Sequence, residues 1–245
     1  MSLAKFLSTI TTSSLHFCQA IILRETDPYE GSLPLPNLRL HQLMADEKFA
    51  RQFLRIPDSD ALPPNFKEFF SPAQTKSINS RFAATLYINC WHMSEHESAF
   101  LWSVYASTLD GVCVKSTVGR LKQSIEQEKR DIYIGPVLYI DFEKESIDQS
   151  NAFNPFFRKR KSFEAEKELR ACFTELLPNI GWSERALTEN PRGIPISCEL
   201  PALVEEVVIA PTAPQWYADA VSASLGKFGF KFVVRKSPLG SPAIF

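Results

Sequence analysis

Apolar and polar residues change their spacing several times along the chain, and each change marks an element. Leu15 and Phe17, then Ile21, Ile22 and Leu23, in TSSLHFCQAIIL suggest one or two strands. RETDPYEGSLPLP follows, where an Asp-Pro step, a glycine and three prolines mark a loop. From Asn37 to about Ile56 the spacing turns helical through Leu40, Leu43, Met44, Phe49, Phe53 and Leu54. A second helical piece is predicted over Asn65 to Phe70, with SPAQTKSINSR as loop or a third short helix. FAATLYINCW, residues 82–91, is β-branched and aromatic enough for a buried strand. In SEHESAFLWSVYAST, Ser94 and Glu97 read as a capping box before a stripe of Phe100, Leu101, Val104 and Tyr105. VCVKST is a strand, VGRLKQSIEQEKRD an amphipathic helix with Val118, Leu121 and Ile125 inward, and IYIGPVLYIDF a strand interrupted at Gly135-Pro136. LVEEVVIAP, TAPQWYADAVSASLGKFG and FKFVVRKSPLG then read as strand, helix and strand, a βαβ unit. The pattern predicts an α+β protein with a central mixed sheet, flanking helices and a C-terminal βαβ unit. With no repeat or low-complexity linker, residues 1–245 read as one domain.

One stretch, SFEAEKELRACF at 162–173, carries two signals. Its composition favours a helix. Its alternation favours a strand, with Phe163, Ala165, Leu169, Ala171 and Phe173 on one face and Glu164, Glu166, Glu168, Arg170 and Cys172 on the other. The reading adopted is a short helix around Pro155–Lys161 that runs into a strand from Phe163 to Phe173. On such a strand Glu166, Glu168 and Arg170 point the same way, about 7 Å apart at each step of two. Neighbouring carboxylates raise at least one pKa, and an adjacent arginine keeps one ionised. The arrangement suits stabilising a cation, binding a ribose or holding a divalent metal. The plain alternative is an exposed face with ordinary salt bridges, such as Glu166 to Arg170 if the segment is helical.

Composition narrows the rest. The 245 residues are 44% hydrophobic and 22% charged, which suits a packed core. A net charge of -1 gives no global attraction to nucleic acid or an anionic membrane, so a nucleic-acid partner needs a local patch. The run FFRKRK at 156–161 is the one candidate patch, although such runs are usually solvated faces. No apolar stretch is long enough to span a bilayer, and the N-terminus is a poor signal peptide. Five scattered cysteines without a C-x-x-C pair point to buried free thiols in a reducing cytoplasm. There is no G-x-G-x-x-G, no Gly-Lys-Ser/Thr phosphate loop and no G-x-S-x-G, which weighs against kinases, NTPases and nicotinamide dehydrogenases. With 9 glycines, any bound nucleotide would be held by side chains.

Other candidates stand beside plainer readings. Asp27, Tyr29 and Glu30 with Arg24 form an acidic loop that could approach the glutamate face and bind metal, or could be a simple turn. His92 and His96 are four apart, but His92 precedes Ser94, so they do not share a helical face. Trp91, Trp102 and Tyr105 could stack a base, while the spacing of Trp102 and Tyr105 suits a core.

The succession LHFCQAIILRETDPYEG, YINCWHMSEHESAFLWSVYAS with TLDGVCVKSTVGRL, GPVLYIDF, RKRKSFEAEKELRA, LVEEVVIAPTAPQWYADAVSASLGKFGF and VVRKSPL resembles the bacterial family called domain of unknown function 2971. Its marks here are Asp27 to Gly31, Trp102 and Tyr105 before Gly111, and the series Phe163, Glu166, Glu168, Arg170. The family's Tyr/Arg-rich first strand is reduced to AKFL. The Glu-x-Glu pair is also similar to the motif of mono-ADP-ribosyltransferases. That second resemblance implies an enzyme using NAD, with Glu168 as catalytic carboxylate, Glu166 orienting a small-nucleotide or protein acceptor, and Arg170 setting their charge. His16 or Arg24 would contact the nicotinamide side, and Tyr87 or Trp91 would stack the ring. The alternative from another class is a non-enzymatic sensor or interaction module, in which Asp27, Glu166, Glu168 and Arg170 form a buried ion network that fixes the loop onto the sheet. A metal-dependent nuclease is a third reading.

Overall fold

A computed structural model describes residues 1–105 and 110–243. Among the described residues ten strands run in chain order: β1 Ser14–Gln19, β2 Leu86–His92, β3 Val112–Lys115, β4 Tyr133–Pro136, β5 Leu138–Ile140, β6 Arg158–Arg160, β7 Glu168–Thr174, β8 Gly193–Ser197, β9 Glu206–Ile209 and β10 Val233–Lys236. The fold is α+β, with sheets in the order β4-β7-β2-β1-β8, β10-β9-β3 and β5-β6. The chain divides into two compact units of non-contiguous segments: residues 1–17, 93–131 and 195–245, and residues 18–92 and 132–194. Because the chain re-enters each unit, no linker of distinctive composition marks the division.

In the first unit β9 is the central strand, parallel to β10 and antiparallel to β3. The helix Gln215–Lys227 connects β9 to β10 and buries Tyr217, Val221 and Leu225, which completes the βαβ unit expected from the sequence. The segment AKFL lies in a helix, Leu3–Thr12, whose Ser2 side chain caps it, rather than in a reduced strand. Ser94 does not cap the next helix. Ser98 does, its Oγ accepting from Leu101 N at the start of Ala99–Tyr105. That helix buries Trp102 and exposes Phe100, Val104 and Tyr105, the reverse of the expected stripe. Residues 106–108 of the predicted helix lie outside the described residues. Val118, expected inward, is exposed as the first residue after the Thr117 cap, while Leu121 and Ile125 are buried.

In the second unit β7 pairs with β2 along its whole length, Leu86 opposite Thr174 through to His92 opposite Glu168. β4 flanks β7 on one side, and Cys18 and Gln19 of β1 flank β2 on the other, all antiparallel. Two predicted strands proved partly helical. Residues 82–85 end the helix Pro72–Thr85, capped by Ser71, where Ala83 and Ala84 are small enough to pack fully buried. Ile21 to Leu23 lie in a 3-10 helix, Ala20–Glu25. The predicted helix from Asn37 to Ile56 is two helices, Leu35–Met44 and Glu47–Leu54, because the Asp46 side chain accepts from Phe49 N and starts a new cap.

The core of this unit gathers Ala20, Phe82, Ala83, Leu86, Ile88, Phe156 and Cys172 at one end of a sheet face. Asn37 ties a distant loop to the helix Leu35–Met44, donating to Ile147 O and accepting from Ile147 N as a strand backbone would. Gly31 seats the loop after the 3-10 helix on this core. Its φ is +66°, and a Cβ there would lie 2.3 Å from the Phe156 ring. Gly181 has φ +53° but open space around it. Gly31→Ala is therefore expected to combine left-handed strain of about 1 kcal/mol with an overpacking cost of about 1–3 kcal/mol. Gly181→Ala should carry the strain alone. Urea denaturation of both variants checks this, and equal losses would contradict it.

Candidate functional site

β7 opens with three alternating residues that share one face of the sheet, Glu168, Arg170 and Cys172, lying opposite His92, Cys90 and Ile88 of β2. Its burial is continuous from Glu168 to Phe173, so the polar half of the alternation faces protein rather than water. At the Cys172 end this face joins the apolar core. At the Glu168 end it becomes ionic.

Arg170 is the centre, with 1% of its surface exposed. One edge of its guanidinium meets Glu168, with Nε 2.9 Å from Oε1 and Nη2 3.1 Å from Oε2. The other edge meets Glu30, with Nη1 2.5 Å from Oε1 and Nη2 2.9 Å from Oε2. Nη1 also donates to the carbonyl of Phe156. Lys159 extends the network, its Nζ 2.5 Å from Glu166 Oε2 and 3.3 Å from Glu168 Oε2. Tyr139 Oη accepts from Glu168 N, and the Cys90 thiol donates to the Glu168 carboxylate.

The electrostatics follow from who surrounds whom. Burial pushes the Glu168 carboxyl up, but Arg170 and Lys159 outweigh it and hold its pKa below the usual value. Burial opposes the charge of Arg170, yet Glu30 and Glu168 raise its pKa well above the ordinary one. Lys159 is likewise raised, Glu168 and Glu166 overcoming its desolvation. Desolvation of the sulfur and the Glu168 charge push the Cys90 thiol up, away from a reactive thiolate, although the residue as a whole is exposed at this end of the sheet face. The network is thus charged and closed, with cations matched to carboxylates by hydrogen bonds.

The expected strand from Phe163 to Phe173 is corrected at its start. Residues 161–166 form a 3-10 helix, and Lys167 turns the chain with φ +40°. Glu166 therefore does not project beside Glu168 from one strand. The two carboxylates meet at the shared ammonium of Lys159. The expected helix over Pro155–Lys161 is a 3-10 turn, Asn154–Phe157, followed by β6, which pairs with β5 in parallel. The basic run is only partly solvated: Lys161 and its partner Glu145 are exposed, while Lys159 is buried. Lys159 points inward, Arg160 binds Asp27, Lys161 binds Glu145 and Arg158 donates to Phe157 O.

The acidic loop does reach β7, through Glu30. Asp27 instead pairs with Arg160, Oδ1 to Nη2 at 2.7 Å, while also accepting from Tyr29 N as a turn. The Tyr29 ring lies under the Arg160 guanidinium, 4.3 Å from its centroid. Arg24 holds the loop's backbone, with Nε donating to Glu30 O and Nη1 to Ser80 Oγ.

Other sequence candidates fall elsewhere. Tyr87 and Trp91 lie opposite Phe173 and Leu169, on the other face of the sheet from Glu168. Tyr87 stacks on Phe173 and donates to Pro191 O, and Trp91 donates to Asn89 Oδ1. His16 belongs to the first unit. His92 lies on β2 with Nδ1 2.6 Å from Glu166 O, while His96 belongs to the first unit. Lys159 and Cys90 were not found from the sequence. Three consecutive cations on β6 give no periodic sign of which one is inward, and Cys90 is a site residue only because it lies opposite Arg170. Among the described residues, no group of three or more His, Cys, Asp or Glu side chains is placed to hold a metal ion, and no helix is long and apolar enough to cross a membrane.

No family model, curated protein or solved structure matches the chain.

Two outcomes follow from this geometry. Arg170→Met leaves two carboxylates buried without their cation and should cost about 3–5 kcal/mol in urea unfolding. Because the folded pKa of Glu168 is depressed, its contribution is fully present above the ordinary glutamate value of about 4.3. It is lost as pH falls through the lower folded value. Wild-type stability should therefore decline below that ordinary value, and Glu168→Gln should decline less steeply. Parallel slopes in urea titrations across acid pH would contradict this assignment.

Proposed function

We propose that this chain is a non-enzymatic sensor or interaction module, and that its Asp27, Glu30, Glu166, Glu168 and Arg170 constellation is the lock that fixes the acidic loop to the sheet. The observation that carries this reading is the closure of Arg170. Both edges of its guanidinium are taken by the chain's own carboxylates, and Glu168 gives its oxygens to Arg170 and Lys159. A carboxylate that stabilises an oxocarbenium-like transition state must touch the reacting sugar, which calls for an open face. The separation of Tyr87 and Trp91 from Glu168 across the sheet supports the same reading. The resemblance to the domain of unknown function 2971 family remains part of the proposal and rests on the residues quoted for it.

The competing reading, an ADP-ribosyltransferase-like enzyme, makes the opposite demand on Glu168. Wild-type protein incubated with NAD and candidate acceptors should release no nicotinamide above the buffer rate. Glu168→Gln should lower the melting temperature by several degrees and leave that rate unchanged. Nicotinamide release by the wild type that disappears in Glu168→Gln would overturn the proposal.

A further inference from the structure

Glu30 sits on Arg170 as a free carboxylate would. Nη1 and Nη2 approach separate oxygens at 2.5 and 2.9 Å, the bidentate geometry by which arginine recognises a carboxylate. Glu168, next but one on the same strand, holds the Nε edge, so the guanidinium is aimed by β7 itself. Preorganisation of that kind lowers the cost of binding.

The segment that carries Glu30 has a different character. In residues 26–32 inward and outward positions are mixed, with Asp27, Glu30 and Gly31 buried while Thr26, Pro28 and Tyr29 face solvent. Their backbone bonds are local: Asp27 N to Leu23 O, Glu30 N to Asp27 O and Ser32 N to Tyr29 O. Its ties to the rest of the unit are the side chains of Asp27 and Glu30, the Arg24 bond to Glu30 O and the close seat of Gly31 on Phe156. One of those ties is incomplete, since Asp27 uses a single oxygen on Arg160 and leaves Asp27 Oδ2 and Arg160 Nε without protein partners. A guanidinium fixed by its own strand and met by a loop whose backbone bonds are local is the arrangement of a site and its plug.

We infer that the Arg170 fork is a carboxylate-binding site filled in cis by Glu30, that residues 26–32 are its displaceable plug, and that its exchangeable ligand is a small organic carboxylate. The inference rests on the non-catalytic reading of the network given above. Displacing the plug breaks no covalent bond. Glu30 moves into water and the incoming carboxylate takes its two hydrogen bonds.

Propionate is the probe, with chloride at matched ionic strength as control. In Glu30→Ala, propionate should raise the melting temperature by several degrees more than chloride, and the difference should vanish when Arg170→Met is added. Equal responses in Glu30→Ala would overturn the inference. In the wild type, amide hydrogen exchange of residues 26–32 should accelerate about tenfold in propionate relative to chloride, as expected for a ligand that binds the open state. Unchanged exchange would reduce Glu30 to a fixed ion-pair partner and overturn it. The wild-type measurement decides alone if Glu30→Ala fails to fold. Neither readout involves NAD, so failure here leaves the non-catalytic reading standing, and failure of that reading is seen only in nicotinamide release.

Discussion

A single guanidinium buried between two carboxylates sets the conditions for the rest of this site. Arg170 cannot lose its proton and cannot reach water, so every neighbour must answer its charge. Glu168 answers from the same strand and Glu30 from a loop 140 residues away in sequence. Glu168 then carries a second cation, Lys159, which brings Glu166 into the group. The desolvation of these charges is tolerable because nearly every oxygen and nitrogen has a directed partner, so removing one member costs more than the pair contributes in place.

The same network ties local structure to tertiary structure. β7 can be buried on both faces because its polar residues find partners inside the unit rather than in solvent. The loop from Asp27 to Gly31 can lie over that face because Glu30 supplies charge and Gly31 supplies the backbone shape and the missing Cβ that let it close on Phe156. Charge and packing thus select the same loop position, a consistency between levels that favours one structure over alternatives.

How far this was legible in the sequence depends on the range of each interaction. The period of two at Leu169, Arg170, Ala171 and Cys172 correctly identified a strand against a helical composition, since pairing with β2 and β4 outweighs propensity. It failed at Glu166, because the turn at Lys167 uses a left-handed backbone on a residue that gives no sign of it. The contact of Glu30 with Arg170, and of Asp27 with Arg160, could be suspected from complementary charge but not paired, since nothing local links a loop to a strand so distant. Helix starts erred in the same way. Ser94 satisfied a capping pattern, yet Ser98 stands at the helix start, where its oxygen meets Leu101 N.

A double-mutant cycle between Glu30 and Arg170 addresses the central claim most directly. Glu30→Gln, Arg170→Met and the double variant, each unfolded in urea at neutral pH, isolate the coupling of loop to strand from the cost of each truncation. If the buried pair locks the loop to the sheet, the coupling energy should exceed about 1 kcal/mol. Additive losses within about 0.3–0.5 kcal/mol would mean that the two residues do not depend on one another, and would contradict the account.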